Sequence, residues 1–245
     1  MVTRASEAKQ IESDLVEDGR LPAPKKAIRA IQDMIREELS PGECLPAQRV
    51  LAERLKVSRA SLREALSTLE ALGFVRTEQG RGTFVTDGAV EGAEITEWRF
   101  SDRYKLEEVY QFRQMVEPTV ARLAAMNITD EEIAHLTEIH ERFKAAIQAL
   151  DLISSTEHDV DFHRSIMAIS RNRVFVDLYD KFRKVFEETQ MLPFSQHNRR
   201  WEVATEHGKI LEALQRRDPD GAAYYMSMHM VRATDRIGVK LKMLD

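Results

Sequence analysis

The stretch from Leu45 to Val85, LPAQRVLAERLKVSRASLREALSTLEALGFVRTEQGRGTFV, restricts the fold of this chain more than any other. A short helical signal, Leu51–Leu55, is followed by a turn at Lys56–Val57–Ser58. A second helix opens at Ser58–Arg59 and carries Arg63 one turn further on. Two β-rich pieces follow, Phe74–Thr77 and Gly82–Thr86, joined by Glu78–Gln79–Gly80–Arg81. Helix, tight turn, basic-headed helix and basic hairpin is the order of a winged helix-turn-helix. In that arrangement the second helix enters the major groove and reads base edges near its N-terminus.

Local chemistry agrees with this order. Ser58 is a good N-cap, which leaves Arg59 and Ser61 in the first turn and Arg63 in the second. Cations at a helix N-terminus oppose the dipole, so two arginines there suit phosphate or guanine contact better than stability. Leu62, Leu66, Leu69 and Leu72 recur at helical spacing and are expected to face a core. Gly73 stands where a helix-ending glycine belongs. Gly80 and Gly82 permit the positive φ of a hairpin tip, and Arg81 between them can reach a groove. The alternative is an ordinary helical hairpin with a solvated charged face, which leaves the coincidence of caps, arginines and wing glycines without a cause.

Charge is distributed to match. The 245 residues carry a net charge of -5, which is the wrong sign for a DNA binder taken whole. Residues 25–86, however, hold eleven Lys/Arg against eight Asp/Glu, whereas residues 87–245 hold twenty-two against twenty-eight. Positive charge therefore lies in the winged segment, and the acidic remainder argues against nucleic-acid contact there. The single cysteine, Cys44, excludes an internal disulfide framework and suits a reducing, cytoplasmic setting. No apolar run approaches membrane-spanning length, and the N-terminus lacks a signal-peptide hydrophobic core.

Beyond the wing, residues 87–103 hold two glycines and many polar residues and read as a linker, anchored by Trp98 and Phe100. Residues 1–24 read as a tail. A helix is expected from about Lys25 to Leu39, stopped by Pro41–Gly42. From Lys105 on the period is helical throughout: about 105–126, 130–150, 152–170, 173–190, 199–217 and 219–240. The expected architecture is mainly α: a winged helix-turn-helix over 25–86 and an all-α antiparallel bundle over 104–245.

Three histidines fall on inward stripes. His163 follows Asp159 by four residues on one helical face. His207 lies among Val203, Ala204, Ile210, Leu211 and Leu214. His229 lies among Ala222, Met226, Met230, Ala233 and Ile237. The chain runs ten residues from His207 to Arg217, turns, and returns eight residues from Gly221 to His229. At about 1.5 Å per helical residue the two imidazoles regain nearly the same height. One aspartate and three histidines converging would form a site for Zn, Ni, Mn or Fe. Each histidine alone is more often a hydrogen-bonded core residue. His135, His140, His158 and His197 have no such partners and read either as surface residues or as residues that back the ligand group from behind. Arg113 suits either an inward carboxylate clamp beside a metal or a surface ion pair with Glu117. Asn172 suits either an effector contact or a helix N-cap.

The first of these segments, from Lys26 to Val85, resembles the GntR transcriptional regulators, whose signature is LP-S/A-E-R-x-LA, then VSR-x-x-x-R-E-A-L, then a wing ending G-R-G-T-F-V. Gln48 departs from it, standing where the family usually has Glu. The resemblance implies DNA contacts at Arg49, Ser58, Arg59, Ser61, Arg63, Gln79, Gly80 and Arg81. Residues 105–235 are similar to the FCD ligand-binding domain of the FadR-type subfamily, through Arg113–Glu117, Asp159–His163, Ser170–Asn172 and the His207/His229 pair. That resemblance implies a metal held by Asp159, His163, His207 and His229, with Zn the first candidate, and an effector near Arg113 and Asn172.

The expectation is a homodimeric, non-enzymatic repressor on a pseudo-palindromic operator, controlled by a small organic acid bound beside the metal. A metalloenzyme fused to a DNA-binding head is a second class. Against it, the chain holds no HExxH motif and one ExxH, Glu132–His135, where a di-iron bundle needs two. An architectural DNA binder without effector is a third, and it leaves the inward Asp and His residues without a purpose.

Overall fold

The computed structural model describes residues 22–86, 100–195 and 199–240. Most of the expected tail (1–21), most of the expected 87–103 linker with Trp98, and His197 lie outside these residues; the last tail residues, from Ala23, already belong to the first helix. The described residues cluster into two compact units, one of 22–70 with 74–86 and one of 71–73 with residues from 100 on.

In the first unit α1 (Ala23–Glu37) begins with Pro24 in its first turn, where a missing N–H costs nothing. It buries Ala27, Ile28, Ile31 and Met34 along one stripe. The short α2 (Gln48–Leu55) ends at Lys56, whose φ of 54° makes the sharp turn before α3 (Arg59–Ala71). Ser58 caps α3, its Oγ accepting from the Ser61 N–H at 3.0 Å. Leu62, Leu66, Leu69 and Leu72 are all buried, and Gly73 takes φ 70° just past the helix end. The wing is β1 (Val75–Glu78) paired antiparallel with β2 (Gly82–Val85), Val75 opposite Val85 and Glu78 opposite Gly82. The segment after α1 adds a contact that no sequence signal announces. Gly42, Glu43 and Leu45 exchange 2.8 Å backbone hydrogen bonds with Val85 and Thr83, so this segment covers one edge of the wing.

The second unit is the expected bundle of six helices: α4 (Leu106–Asn127), α5 (Asp130–Gln148), α6 (Leu152–Ile169), α7 (Arg173–Met191), α8 (Arg200–Gln215) and α9 (Pro219–Arg236). A single 3-10 turn, Leu192–Ser195, extends α7. Caps fix the helix starts. Thr129 and Glu132 form a reciprocal capping box, and Asp151, Asn172 and Asp218 each accept a backbone N–H. Three helix ends are closed by non-glycine residues in the left-handed region, Leu150, Arg171 and Arg217. The expected 219–240 helix stops at Arg236, because Gly238 at φ 69° turns the chain away. Phe100 packs on the bundle core, as expected of an anchor. Helix α9 lies along α4 and α8, and α6 lies between α5 and α7. This arrangement turns the polar residues of α4, α6, α8 and α9 into the interior. Among the described residues no helix is long and apolar enough to cross a membrane.

Candidate functional site

Two sites take shape, one on each unit. On the first, α3 presents Arg59 and Arg63 four residues apart on one exposed face. Among the described residues neither makes an ion pair. Ser58 is exposed and its hydroxyl is engaged in capping, bonded to both the Ser61 N–H and the Ser61 hydroxyl. Arg49 is exposed on α2, 3.6 Å from Glu53. Gln79, Gly80 and Arg81 form the exposed wing tip. Arg81 is paired with Glu78, which also meets Arg76 at 2.7 Å. The guanidinium of Arg81 lies 5.7 Å from the Phe84 ring centre. The resulting surface is a solvent-facing set of guanidinium and hydroxyl groups on a helix start and a hairpin, the donors that phosphates and base edges require.

The second site is buried. Helix α6 brings in Asp159 and His163, one turn apart, α8 brings in His207, and α9 brings in His229; none is more than 4 % exposed. One ring nitrogen from each histidine lies within 4.8 Å of the other two. Asp159 faces two of them, with Oδ1 3.4 Å from His207 Nε2 and Oδ2 3.9 Å from His163 Nε2. The His207 and His229 ring centres are 4.8 Å apart, as the height argument requires. Among the described residues, His163 Nε2 and both nitrogens of His207 have no hydrogen-bond partner. Buried polar atoms are normally satisfied, so ring nitrogens left without a partner, on histidines that each bring one nitrogen to a common place, mark a place for a ligand.

Charged neighbours surround this group. Arg113 is buried on α4, its Nε donating to Glu117 Oε1 at 2.6 Å and its Nη1 reaching Thr189 Oγ1 at 3.4 Å. Both expectations for Arg113 are thus half met: it points inward, and it pairs with Glu117. Glu117 Oε2 lies 2.6 Å from His163 Nδ1. On the other side, His229 Nδ1 lies 2.8 Å from Glu206 Oε2, and Glu206 is held by Arg236. Burial pushes the Glu117 carboxyl up, but Arg113 and His163 outweigh it and hold the group well below the usual carboxylate range. Glu206 behaves alike: burial raises it, and the contacts with His229 and Arg236 bring it below its ordinary value. Burial lowers His229 to about 4. Burial, then His229 and His163, lowers His207 well below an ordinary histidine. Asp159 is pushed up to about 6 by burial, against the pull of His163 and Arg113. At neutral pH this leaves His207 and His229 neutral, the state a metal ligand needs.

Asn172 does not join this group. It is exposed, and its Oδ1 accepts from the Val174 N–H at 3.1 Å, so the effector assignment gives way to the N-cap one. His140 takes the second of its two readings: it is buried, 6.5 Å from the Phe162 ring and close under Gly208. His135 is exposed and His158 half-buried. Glu206 and Arg236 join the group without having been expected there. The available signal was position: Arg236 lies seven residues, two helical turns, beyond His229.

A groove-reading helix with a wing on one unit, and a helical bundle closed around one aspartate and three histidines on the other, define a ligand-responsive DNA-binding regulator. Residues 24–85 match the family model for bacterial regulatory proteins of the gntR family, and residues 108–232 match the FCD domain. The chain therefore belongs to the GntR family and carries an FCD domain. The Uxu operon transcriptional regulator of Escherichia coli (strain K12) is 28% identical over 216 residues, 84% of this chain and 83% of that protein. The Glc operon transcriptional activator of the same strain is 30% identical over 215 residues, 83% of this chain and 84% of that one. A solved Streptococcus agalactiae GntR structure is 24% identical, covers 89% of this chain and 100% of its own, and superposes with a TM-score of 0.46.

Proposed function

We propose that this regulator binds a small carboxylate beside a divalent transition ion in the FCD bundle, and that this binding sets its affinity for an operator. The observation that carries the reading is the buried Asp159–His163–His207–His229 group with its unmatched ring nitrogens. These four residues fit a borderline ion such as Zn, with Ni, Mn or Fe as alternatives, because they offer imidazole nitrogen and carboxylate oxygen together. When bound, the ion supplies a Lewis-acidic point for a carboxylate oxygen. The chain's own part is to hold the neutral imidazoles and to exclude water. Arg113 adds a fixed cation beside the group.

The winged unit, assigned to residues 25–86, reads the operator through Arg59 and Arg63, with Ser58, Ser61, Arg49 and the wing tip on the backbone. The bundle, assigned to residues 104–245, binds the effector and dimerises, so that two heads meet a pseudo-palindromic site. An effector that favours one placement of the heads changes operator affinity by the difference in its own affinity for the two states. Repression is the proposed sense of control. No turnover is assigned to the ion, since the relatives are regulators of transcription.

The test is metal analysis after purification without chelator and reconstitution with Zn, Ni or Mn. About one ion per chain is expected, lost in His207→Ala and His229→Ala, together with any thermal shift from a panel of short carboxylic acids. Operator binding in a gel-shift titration should survive at least partly. Absence of metal under all these conditions sinks the ion and leaves the polar group as the lining of an organic-ligand pocket.

A further inference from the structure

We propose that Glu117 and Glu206 are the positioning carboxylates of the buried centre, each taking the Nδ1–H of one histidine so that His163 and His229 present Nε2 to the common space. The inference rests on the metal-centre reading above. A neutral imidazole carries one N–H, and an ionised carboxylate can only accept. The ring nitrogen close to each glutamate then carries the hydrogen, and the other nitrogen keeps the lone pair that an ion requires; Asp159, 3.9 Å from His163 Nε2, stands beyond hydrogen-bond reach of it. Glu117 Oε2 and His163 Nδ1 approach to 2.6 Å; the alignment falls short of a hydrogen bond, and among the described residues neither atom has a hydrogen-bond partner elsewhere, so this contact is the one place available to the Nδ1–H. The Glu206 Oε2 to His229 Nδ1 distance is 2.8 Å.

Each carboxylate is itself held by a buried arginine. Arg113 donates to Glu117 within α4, and Arg236, from the end of α9, reaches across to Glu206 on α8. A carboxylate this deeply buried stays ionised only with such a partner. The two arms are thus Arg113–Glu117–His163 and Arg236–Glu206–His229, each neutral as an acid–base pair. Asp159 is then the one negative ligand set against a divalent ion, and the loaded centre keeps a net positive charge that a carboxylate effector neutralises. His207 stands outside both arms. Among the described residues its Nδ1 has no hydrogen-bond partner, and its ring is held by packing on Phe162.

The experiment has two parts. In the metal-free full chain labelled with 15N-histidine, long-range 1H–15N correlation spectra report the tautomer of each ring. The Nδ1–H form is expected for His163 and His229, and an Nε2–H form at either overturns the proposal. Zn affinity is then measured by chelator competition, with the Co-substituted absorption spectrum as a geometric readout. Glu117→Leu and Glu206→Leu should each weaken Zn by about 10–100-fold and alter the Co spectrum. Glu117→Gln and Glu206→Gln keep an acceptor oxygen for Nδ1–H and should recover most of the affinity and the native spectrum. Leu variants within twofold of the parent, or Gln variants as weak as a folded Leu variant, overturn the proposal. If the parent chain takes up no Zn at all, the metal reading fails, and the tautomers alone decide the positioning roles.

Discussion

His207 lies face to face with Phe162, the ring centres 4.3 Å apart and the planes 14° from parallel. Phe143 closes the next side at 5.1 Å. One histidine of the group is therefore placed by aromatic packing, with Asp159 at its Nε2, while its neighbours meet the buried glutamates. Phe162 is fully buried, so Phe162→Ala should cost about 3–5 kcal/mol of stability. Denaturant melts of the metal-free chain would show this as a lower midpoint with an unchanged slope. Zn affinity should fall in the same variant while His163 and His229 keep their tautomers, since their carboxylates are untouched. Unchanged Zn affinity in a folded Phe162→Ala chain would show that the stack does not position His207.

Acidification should destabilise the metal-free protein well above ordinary carboxylate pH. His229 is held near 4, and His207 well below its usual value, by burial. Both then favour the folded state at neutral pH, and that advantage is lost as pH falls through the unfolded histidine value of about 6.5 toward the folded values. Asp159, held near 6, works the other way: folded, it keeps a proton that the unfolded chain has released. Between about pH 6 and 4 these three groups give the unfolded chain about one net proton more, and His140 and His158, also lowered by burial, act in the same sense, so stability should drop by at least about 1.4 kcal/mol per pH unit. Below that window the depressed Glu117 and Glu206 add further loss as they are protonated. Urea midpoints measured in EDTA across this range check the slope; a flat profile would mean these histidines charge without cost.

Removal of Arg59 or Arg63 should abolish specific operator binding and spare the fold. Both are exposed, and among the described residues neither has an ion-pair partner to lose. A bidentate base contact is worth roughly 1–3 kcal/mol, and a dimer uses each arginine twice. Gel-shift affinity equal to the parent in Arg59→Ala and Arg63→Ala would displace α3 from the role of reader.

The wing should respond to the opposite change. Glu78 holds both Arg76 and Arg81. Glu78→Gln frees two guanidinium groups, so affinity for operator and random DNA should rise together and the salt dependence should steepen. Arg81→Ala should weaken both and flatten it. A change of preferred operator base in Arg81→Ala would instead mean that the wing reads sequence.

Gly82 tolerates no side chain. It sits at φ 132°, and a Cβ there would stand 2.7 Å from the Cys44 Sγ. Gly82→Ala should destabilise the winged unit by about 1–3 kcal/mol. Cys44→Ala in the same chain should recover the part due to contact and leave the part due to backbone strain. Equal melting of Gly82→Ala and the parent would contradict this geometry.

The helices of the bundle were legible because caps and period coincide: Thr129, Asp151, Asn172 and Asp218 each mark a start that the apolar stripe then continues. The histidine group was legible for the same reason, since an inward polar residue interrupts an apolar stripe. Glu206 and Arg236 were not. Each is a charged residue on a helix rich in charge, which ordinarily means a solvated face, and they meet across two helices at a separation of 30 residues. No spacing rule connects such positions. The wing-edge segment at Gly42–Leu45 was hidden likewise, because Pro41–Gly42 signals only where a helix stops. Asn172 shows the reverse failure: one residue suited two roles, and the backbone N–H of Val174 claimed it.

Every group of the buried centre, with both arginines and both glutamates, is at most 4 % exposed. An ion or an acid cannot reach it from the surface of the closed bundle; helices must first part. Loading and release are then timed by local opening rather than by diffusion. At high ligand concentration uptake then levels off at the rate of that opening. Whatever has entered leaves no faster than the helices separate. On the proposed function, such a bundle would give the regulator a memory: its DNA-binding state would outlast the moment at which its ligand disappears from solution.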